Sequence, residues 1–208
     1  MNKLTVEKIT DLDNDFKALE ETFATLSWNV IAECPWQSMY PYCPEVRFQI
    51  AHSDKFIYLH YAVTEEFVKG QYIRPNENVW EDSCVEFFVS FDQKQTYYNF
   101  EFNVLATGLI GYGPTDKSLR KRLDIESVES VDACTKIVKR KGEKRWEIFL
   151  QIPKQIFGNI SYSGKTYHAN FYKCGDGLPR PHFVSWSAIK NDKPNFHLPE
   201  FFGEITFE

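Results

Sequence analysis

The sequence predicts an all-β protein, an antiparallel β-sandwich with one short N-terminal helix. From residue 45 onward, apolar residues recur at every second position, and short polar loops separate these runs. Aromatic residues also make up 16% of the 208 residues. A period of two is typical of strands with one buried face, and aromatic side chains favour strands. Many short strands after a single helix indicate two packed sheets, in immunoglobulin-like or jelly-roll-like layers.

The single helix is predicted near the N-terminus. Phe16, Leu19 and Phe23 lie at helical spacing, and Asp13 or Asn14 precedes them as a candidate cap. An amphipathic helix of this length needs a surface to cover. We therefore expect residues 1–30 to form a helical extension that packs on the rest of the chain.

The strands are predicted from runs with alternating apolar residues. In chain order these runs are EVRFQIA, KFIYLHYAV, SCVEFFVSF, YYNFEFNV, RWEIFLQIP, TYHANFYKC, HFVSWSAI and GEITFE. Segments 113–130 and 176–199 are rich in Pro, Gly, Asp and Lys, but the strand pattern resumes after each. They are therefore predicted to be long loops, and residues 1–208 to be one domain.

The hairpin formed by SCVEFFVSF and YYNFEFNV has two chemically different faces. Pairing Val85 with Val104 and Phe87 with Phe102 brings the apolar side chains together. The core row is then predicted to be Val85, Phe87, Val89, Phe100 and Phe102. On the other face, this register places Glu86 opposite Asn103, Phe88 opposite Glu101 and Ser90 opposite Asn99.

The polar face of this hairpin is the predicted site. Neighbouring strands are expected to add Tyr58, His60, His168, Asn170 and Tyr172. Carboxylate and amide groups can fix neighbouring hydroxyls, since one accepts two bonds and the other both donates and accepts. Sugars also pack their C–H faces on flat rings, for which Trp80 and Trp186 are the candidates, whereas Trp146 is assigned to the core. The polar row could instead be a satisfied network beneath a loop.

Composition excludes some classes of partner. The net charge of −5 and the pI near 5.6 argue against nucleic acid. The one basic cluster (Lys117, Arg120, Lys121 and Arg122) is interpreted as a solvated loop. No apolar run is long enough to span a bilayer, and no secretory signal is visible, so we expect no membrane partner and a cytoplasmic location. An extracellular or periplasmic location would follow only if a leader has been removed.

The five cysteines are scattered and lack metal or redox spacing. Buried free thiols are therefore the expectation. A disulfide between Cys34 and Cys43 is an alternative that would need an oxidising compartment.

Five strings together resemble the family 9 carbohydrate-binding modules: NVWEDSCVEFFVSF, YYNFEFNVLATG, ANFYKCGD, SWSAI and FHLPEFFGEITF. The resemblance covers roughly residues 40–208 and implies a β-sandwich related to DOMON-type domains. It implies that Trp80 and Trp186 hold the end of a glycan between them without catalysis. It also implies hydroxyl-bonding roles for Asn99, Glu101, Asn103 and Asn170, which join Glu86 in the predicted site.

The resemblance implies structural calcium as well, for which Glu81 and Asp82 could supply oxygen ligands. Their spacing matches no complete calcium loop, so no metal or cofactor is predicted.

The resulting prediction is a monomeric, non-catalytic protein that binds a mono- or oligosaccharide. Three alternatives stay open. A glycoside hydrolase would use Glu86 with Glu101, or Asp82 with Glu86, as its carboxylate pair. A haem-binding DOMON-like domain would need Met39 or one of the scattered histidines as an axial ligand. A protein-interaction module would use the aromatic face for docking.

Overall fold

The computed structural model describes residues 1–12 and 15–208, and the regular structure in them is mainly β-strand. The strands are β1 (Lys3–Lys8), β2 (Asn29–Ile31), β3 (Glu45–His52), β4 (Phe56–Glu65), β5 (Cys84–Ser90), β6 (Tyr97–Asn103), β7 (Gly108–Gly113), β8 (Lys121–Arg122), β9 (Asp132–Arg140), β10 (Glu143–Pro153), β11 (Thr166–Cys174), β12 (Phe183–Ser185) and β13 (Gly203–Phe207). The α-helices are α1 (Phe16–Phe23) and α2 (Ile125–Glu129). Short 3-10 turns lie at Val79–Glu81, Lys117–Leu119, Lys154–Phe157 and Pro199–Phe201.

The strands form two layers joined by β1. Layer A contains β8-β7-β6-β5-β11-β13, with β12 beside β11, and layer B contains β3-β4-β10-β9, with β2 beside β3. Strand β1 runs parallel to β13 through Lys3–Val6 and then parallel to β3 through Glu7–Lys8. The predicted all-β sandwich is confirmed, and β1 adds two parallel pairings to an otherwise antiparallel order of the described strands. Only Leu4 and Val6 alternate in β1, which is too short a pattern for a sequence-based prediction.

The core lies between the two layers and is rich in aromatic rings. Phe171 of β11 stacks on Phe48 of β3 with 3.9 Å between the ring centroids. Every member of the predicted core row of the hairpin is buried: Val85, Phe87, Val89, Phe100 and Phe102. Trp146 is buried as predicted, and its Nε1 donates to Glu65 Oε1 at 2.6 Å, which satisfies the indole N–H.

The helices differ in part from the prediction. Helix α1 covers layer B through Leu19 and Phe23, but its observed cap is Asp15, whose carboxylate accepts from the backbone N–H groups of Lys17 and Ala18. The predicted caps Asp13 and Asn14 lie outside the described residues. Helix α2 is a second helix, too short to show a helical period in the sequence.

The β5–β6 register differs by two residues from the predicted one. Val85 pairs with Phe102 and Glu86 with Glu101, instead of Val104 and Asn103. The reason is the β5–β6 loop, which Ser90 and Asp92 tighten by accepting from the backbone N–H groups of Lys94 and Thr96. Val104 then lies beyond the strand and donates its N–H to the Ser83 carbonyl at 2.9 Å. A shift of two leaves every side chain on its predicted face, because the period of a strand is two.

The expectation of free thiols is wrong for two of the five cysteines. Cys34 and Cys43 form a disulfide, whereas Cys84, Cys134 and Cys174 are free. A turn brings the pair together: the Gln37 N–H bonds to the Cys34 carbonyl, and the Tyr40 N–H bonds to the Trp36 carbonyl. Within the described ranges, no helix is long and apolar enough to cross a membrane.

Candidate functional site

A cavity of about 460 Å³ opens on the outer face of layer A, and we call it the layer A cavity. Such a volume is typical of small-ligand sites. Its floor consists of outward-facing strand residues: Glu86, Asn99, Glu101, Leu109, Gly111 and Cys174. Its walls come from loops and strand ends: Trp80, Lys117, Arg120, Lys121, Arg122, Asp176, Phe183, Pro194, Asn195, Phe196 and His197. The cavity therefore lies over the hairpin whose outer face the sequence predicts to be polar.

The polar floor is nearly dry and contains two hydrogen-bonded pairs. Glu86, Asn99 and Glu101 are each 4% exposed, and the two glutamates face each other across β5 and β6. The Asn99 amide donates to Glu101 Oε1 at 2.8 Å, and the Cys174 thiol donates to Glu86 Oε1 at 2.9 Å. Each glutamate therefore keeps a second carboxyl oxygen beyond these bonds.

The floor glutamates titrate abnormally. Burial raises the pKa of Glu101 to about 7. Burial, followed by the charge of Glu101, raises the pKa of Glu86 well above its usual range. Two facing buried carboxylates cannot both ionise at low cost, so the pair retains a proton at neutral pH. The floor can then both donate and accept hydrogen bonds.

Aromatic rings form one side of the cavity. Trp80 lies at the 3-10 turn before β5, and its ring and that of Phe183 are partly exposed. Phe183 is held from behind by Tyr40, with 4.9 Å between ring centroids, and Phe196 stacks on Tyr172 at 4.2 Å. These contacts fix the wall while leaving ring surface open to a ligand.

A basic loop forms another part of the wall. The Arg120 guanidinium stacks over the Tyr97 ring at 3.8 Å and donates to the carbonyls of Gly113 and Pro114 and to Asn99 Oδ1. The sequence-based interpretation as a solvated loop missed this position. The sequence does contain one indication of close packing at this place, Gly111. A Cβ atom at this position would approach Asn99 Oδ1 to 2.5 Å. A glycine within a strand often marks such a close approach.

Three predicted site residues lie away from the cavity. Trp186 is only 6% exposed and packs edge-on against Phe171 in the core, so it does not flank the cavity with Trp80. Asn103 donates to the Tyr72 carbonyl and to Asp82, and Asn170 bonds to the backbone of Ser187. The alternating pattern predicts the face of the sheet on which a side chain lies, but not its distance from a cavity. The two amides instead form hydrogen bonds that hold neighbouring loops in place.

The acidic residues considered for calcium or catalysis are also engaged. Asp82 accepts from the backbone N–H groups of Gln71 and Tyr72, and the Lys69 ammonium lies 3.6 Å from its other oxygen. Glu81 accepts from the Tyr72 hydroxyl at 2.6 Å. The Lys69 ammonium therefore supplies a positive charge beside Asp82.

A second cavity of about 490 Å³ lies on layer B. Its buried lining residues are apolar: Ile31, Pro44, Val46, Val63 and Trp146. Convergent buried polar groups therefore distinguish the layer A cavity as the candidate binding site.

Comparisons with known proteins identify a family and a shared fold. The sequence model of carbohydrate-binding family 9 matches residues 16–207. A candidate carbohydrate-binding protein from Bacteroides uniformis ATCC 8492 is similar at 37% identity, with a TM-score of 0.90 over 100% of this chain and 99% of that one. Comparison with curated proteins gives no significant match.

Two solved structures of a family 9 module from Caldicellulosiruptor kristjanssonii share the fold. The complex with glucose is 14% identical, with a TM-score of 0.63 over 100% of this chain and 96% of that one. The complex with cellotriose is 13% identical, with a TM-score of 0.62 over 100% and 94%. The family match over almost the whole chain carries the assignment: this chain belongs to carbohydrate-binding family 9.

Proposed function

We propose that the chain binds a terminal sugar residue or a short oligosaccharide in the layer A cavity and does not cleave it. The observation that carries the proposal is the floor itself. Glu86, Asn99 and Glu101 form a buried hydrogen-bonding row directly beside the partly exposed ring of Trp80. Such a combination matches a sugar ring, which has an apolar C–H face and a rim of hydroxyls.

Recognition divides between the wall and the floor. The C–H face of the sugar packs on Trp80 or Phe183, which removes apolar surface from water. The hydroxyls bond to the free oxygens of Glu86 and Glu101. Because this pair retains a proton, one carboxyl donates while the other accepts, so that adjacent hydroxyls are met in complementary roles.

The relatives support the choice of ligand class. The Caldicellulosiruptor modules, which share this fold, are in complex with glucose and with cellotriose. The Bacteroides protein, more similar in sequence, is described as a candidate carbohydrate-binding protein. We therefore place glucose and short β-glucans among the first ligands to test.

The arrangement of carboxyls supports binding without cleavage. A glycosidase needs its two carboxyls to flank the scissile bond, so that the sugar lies between them. Glu86 and Glu101 instead lie side by side on neighbouring strands, on one side of the bound ligand. A pair placed in this way grips hydroxyls but does not attack and protonate across a bond.

We also infer that the protein acts in an oxidising compartment, in place of the cytoplasm expected from the sequence. The Cys34–Cys43 disulfide supports this, since such bonds persist mainly outside the cytosol. Alkylation of protein from its native source, followed by mass spectrometry, would find three reactive thiols after unfolding if the inference holds, and five if it fails.

Calorimetry with glucose, galactose, cellobiose and cellotriose tests the binding proposal. Trp80→Ala should weaken binding roughly tenfold to hundredfold, because it removes an apolar stacking surface. Trp28→Ala is the matched control, since Trp28 is also partly exposed but does not line the cavity. Failure of folded protein to bind any of a broad sugar panel would refute the proposal, as would release of reducing sugar that Glu101→Gln abolishes.

A further inference from the structure

The layer A cavity concentrates positive charge, although the chain carries a net charge of −5. Its rim bears four cationic side chains: Lys117, Arg120, Lys121 and Arg122. Among the described residues that line it, Asp176 is the one exposed carboxylate. The two floor carboxyls share a proton and together carry about one negative charge, so with Asp176 they offset only part of the four positive charges. A ligand in the cavity therefore meets a positive field.

The four cations are not equally available. Arg120 is committed to Asn99 and to backbone carbonyls. Arg122 donates to the Asn76 carbonyl and lies 5.8 Å from the centre of the Trp80 ring. Lys117 and Lys121 are exposed, and neither has an ion pair with a described residue. Their ammonium groups are thus free to meet a ligand.

We propose that the saccharide bound in the layer A cavity carries an anionic group, and that this group lies against Lys117 and Lys121. The anion is a carboxylate, as in a uronic acid, or a sulfate or phosphate ester. This inference rests on the proposed function, because it names the substrate class of the same cavity. A neutral sugar would use the aromatic wall and the floor but leave the two ammonium groups unused.

The positive charge of the cavity rim favours an anionic saccharide. Clefts lined by one sign of charge focus the field and raise the local concentration of counter-charged ligands. Lysine ammonium groups are hydrated point charges that recognise charge more than shape, which suits the substituent of a sugar ring whose position is already set by stacking. Because both lysines are exposed, the effect should weaken as salt is added.

The test compares matched sugar pairs by calorimetry at low and high ionic strength. The pairs are glucose with glucuronate, galactose with galacturonate, and each neutral sugar with its 6-sulfate. In at least one pair, the acidic member should bind about tenfold tighter at low salt, and this advantage should shrink at high salt. Whether the uronate or the sulfate gains affinity identifies the anion, and either gain supports the proposal.

Charge-neutral variants locate the effect. Lys117→Gln combined with Lys121→Gln should reduce the acidic-over-neutral preference to about one. Lys139→Gln combined with Lys165→Gln changes the net charge equally at exposed lysines that do not line the cavity, and should keep the preference. A preference that survives the first pair of substitutions would overturn the assignment to these lysines.

The outcomes separate this inference from the proposed function. Neutral sugars that bind as tightly as their acidic partners would overturn the inference and leave the proposed function standing. No binding by any saccharide would overturn both. Acetate or inorganic sulfate binding as tightly as the sugar acid, and unaffected by Trp80→Ala, would show an anion patch independent of sugar and overturn the inference.

Discussion

The outer faces of the two layers both carry buried polar side chains. Helix α1 covers those of layer B, whereas the layer A cavity lies over those of layer A. In layer B, the Gln49 amide donates to the carbonyls of Phe23 and Leu26, both at 2.7 Å, and its oxygen lies 2.9 Å from His60 Nδ1. The His60 ring stacks on Phe149 at 3.8 Å. Hydrogen bonds to helix α1 and to the turn after it therefore occupy the Gln49 amide of this polar row.

In layer A, the corresponding row remains available. Glu86 and Glu101 each keep a second carboxyl oxygen beyond the bonds from Cys174 and Asn99, and the layer A cavity lies above them. The comparison teaches that a buried polar row is not itself a binding site. It contributes to stability when the chain covers it, and it lowers stability when a cavity keeps it ready for a ligand. The sign of a mutation's effect on unfolding should distinguish the two.

The largest expected effect is in layer B. Gln49→Ala should lower the free energy of unfolding by about 3 kcal/mol, because it removes the hydrogen bonds to the Phe23 and Leu26 carbonyls and leaves the His60 ring nitrogen without its partner. Urea unfolding followed by tryptophan fluorescence measures this. Gln95→Ala is the matched control, since Gln95 is exposed in the β5–β6 loop and should change stability by about 0.5 kcal/mol or less. Equal effects of the two substitutions would remove the structural role assigned to the layer B row.

The second effect concerns the wall of the layer A cavity. The Cys34–Cys43 disulfide closes a short loop that holds Trp36, whose ring lies 6.0 Å from those of Phe183 and Phe196. Replacing both cysteines by serine should lower the free energy of unfolding by about 2.5 kcal/mol through loop-closure entropy. Cys134→Ser, at a partly buried free thiol, should have a smaller effect. If dithiothreitol leaves wild-type stability unchanged although the bond is reduced, the loop does not depend on the disulfide.

The sequence predicts the polar row on the outer face of the hairpin, but neither what covers it nor the separate polar row of layer B. Alternation assigns Glu86, Asn99 and Glu101 to an outer face, and this assignment survives the wrong register because both strands repeat every two residues. The same alternation gives no information about which layer a strand joins. Tyr58 and His60 were therefore expected on the polar face of the hairpin, whereas the structure places them in layer B beneath α1.

Loops and ring positions were harder to predict for a related reason. The basic loop reaches the cavity because Arg120 bonds to Asn99, a contact between residues that no local pattern joins. Trp186 follows β12 directly, and its N–H bonds to the Phe171 carbonyl, which places the ring in the core. Tertiary contacts of this kind decide which aromatic residues a ligand can reach, and a single sequence does not contain them in readable form.

The smallest expected effect has the opposite sign. The pKa of Glu101 is raised in the folded state to about 7, so folding is unaffected by this group below about pH 4.5, where it is protonated in both states. Between about pH 4.5 and 7 the unfolded chain has released this proton while the folded chain still holds it, so stability falls across this range and levels off above pH 7. Glu101→Gln should therefore leave stability unchanged at pH 4 and raise it by about 2 kcal/mol at pH 8, after the weaker bond from Asn99 is allowed for.

Urea unfolding at pH 4, 6 and 8 gives the sign directly, and Glu129→Gln, at an exposed glutamate of α2, serves as the control with little change at any pH. The same Glu101→Gln protein should bind sugar at least about tenfold more weakly, because the amide cannot alternate between donor and acceptor as the proton-sharing pair does. A variant that is more stable and binds less would show that this part of the floor is kept for its ligand at the expense of the fold. Lower stability at pH 8 would instead place Glu101 with Gln49, as a structural polar group.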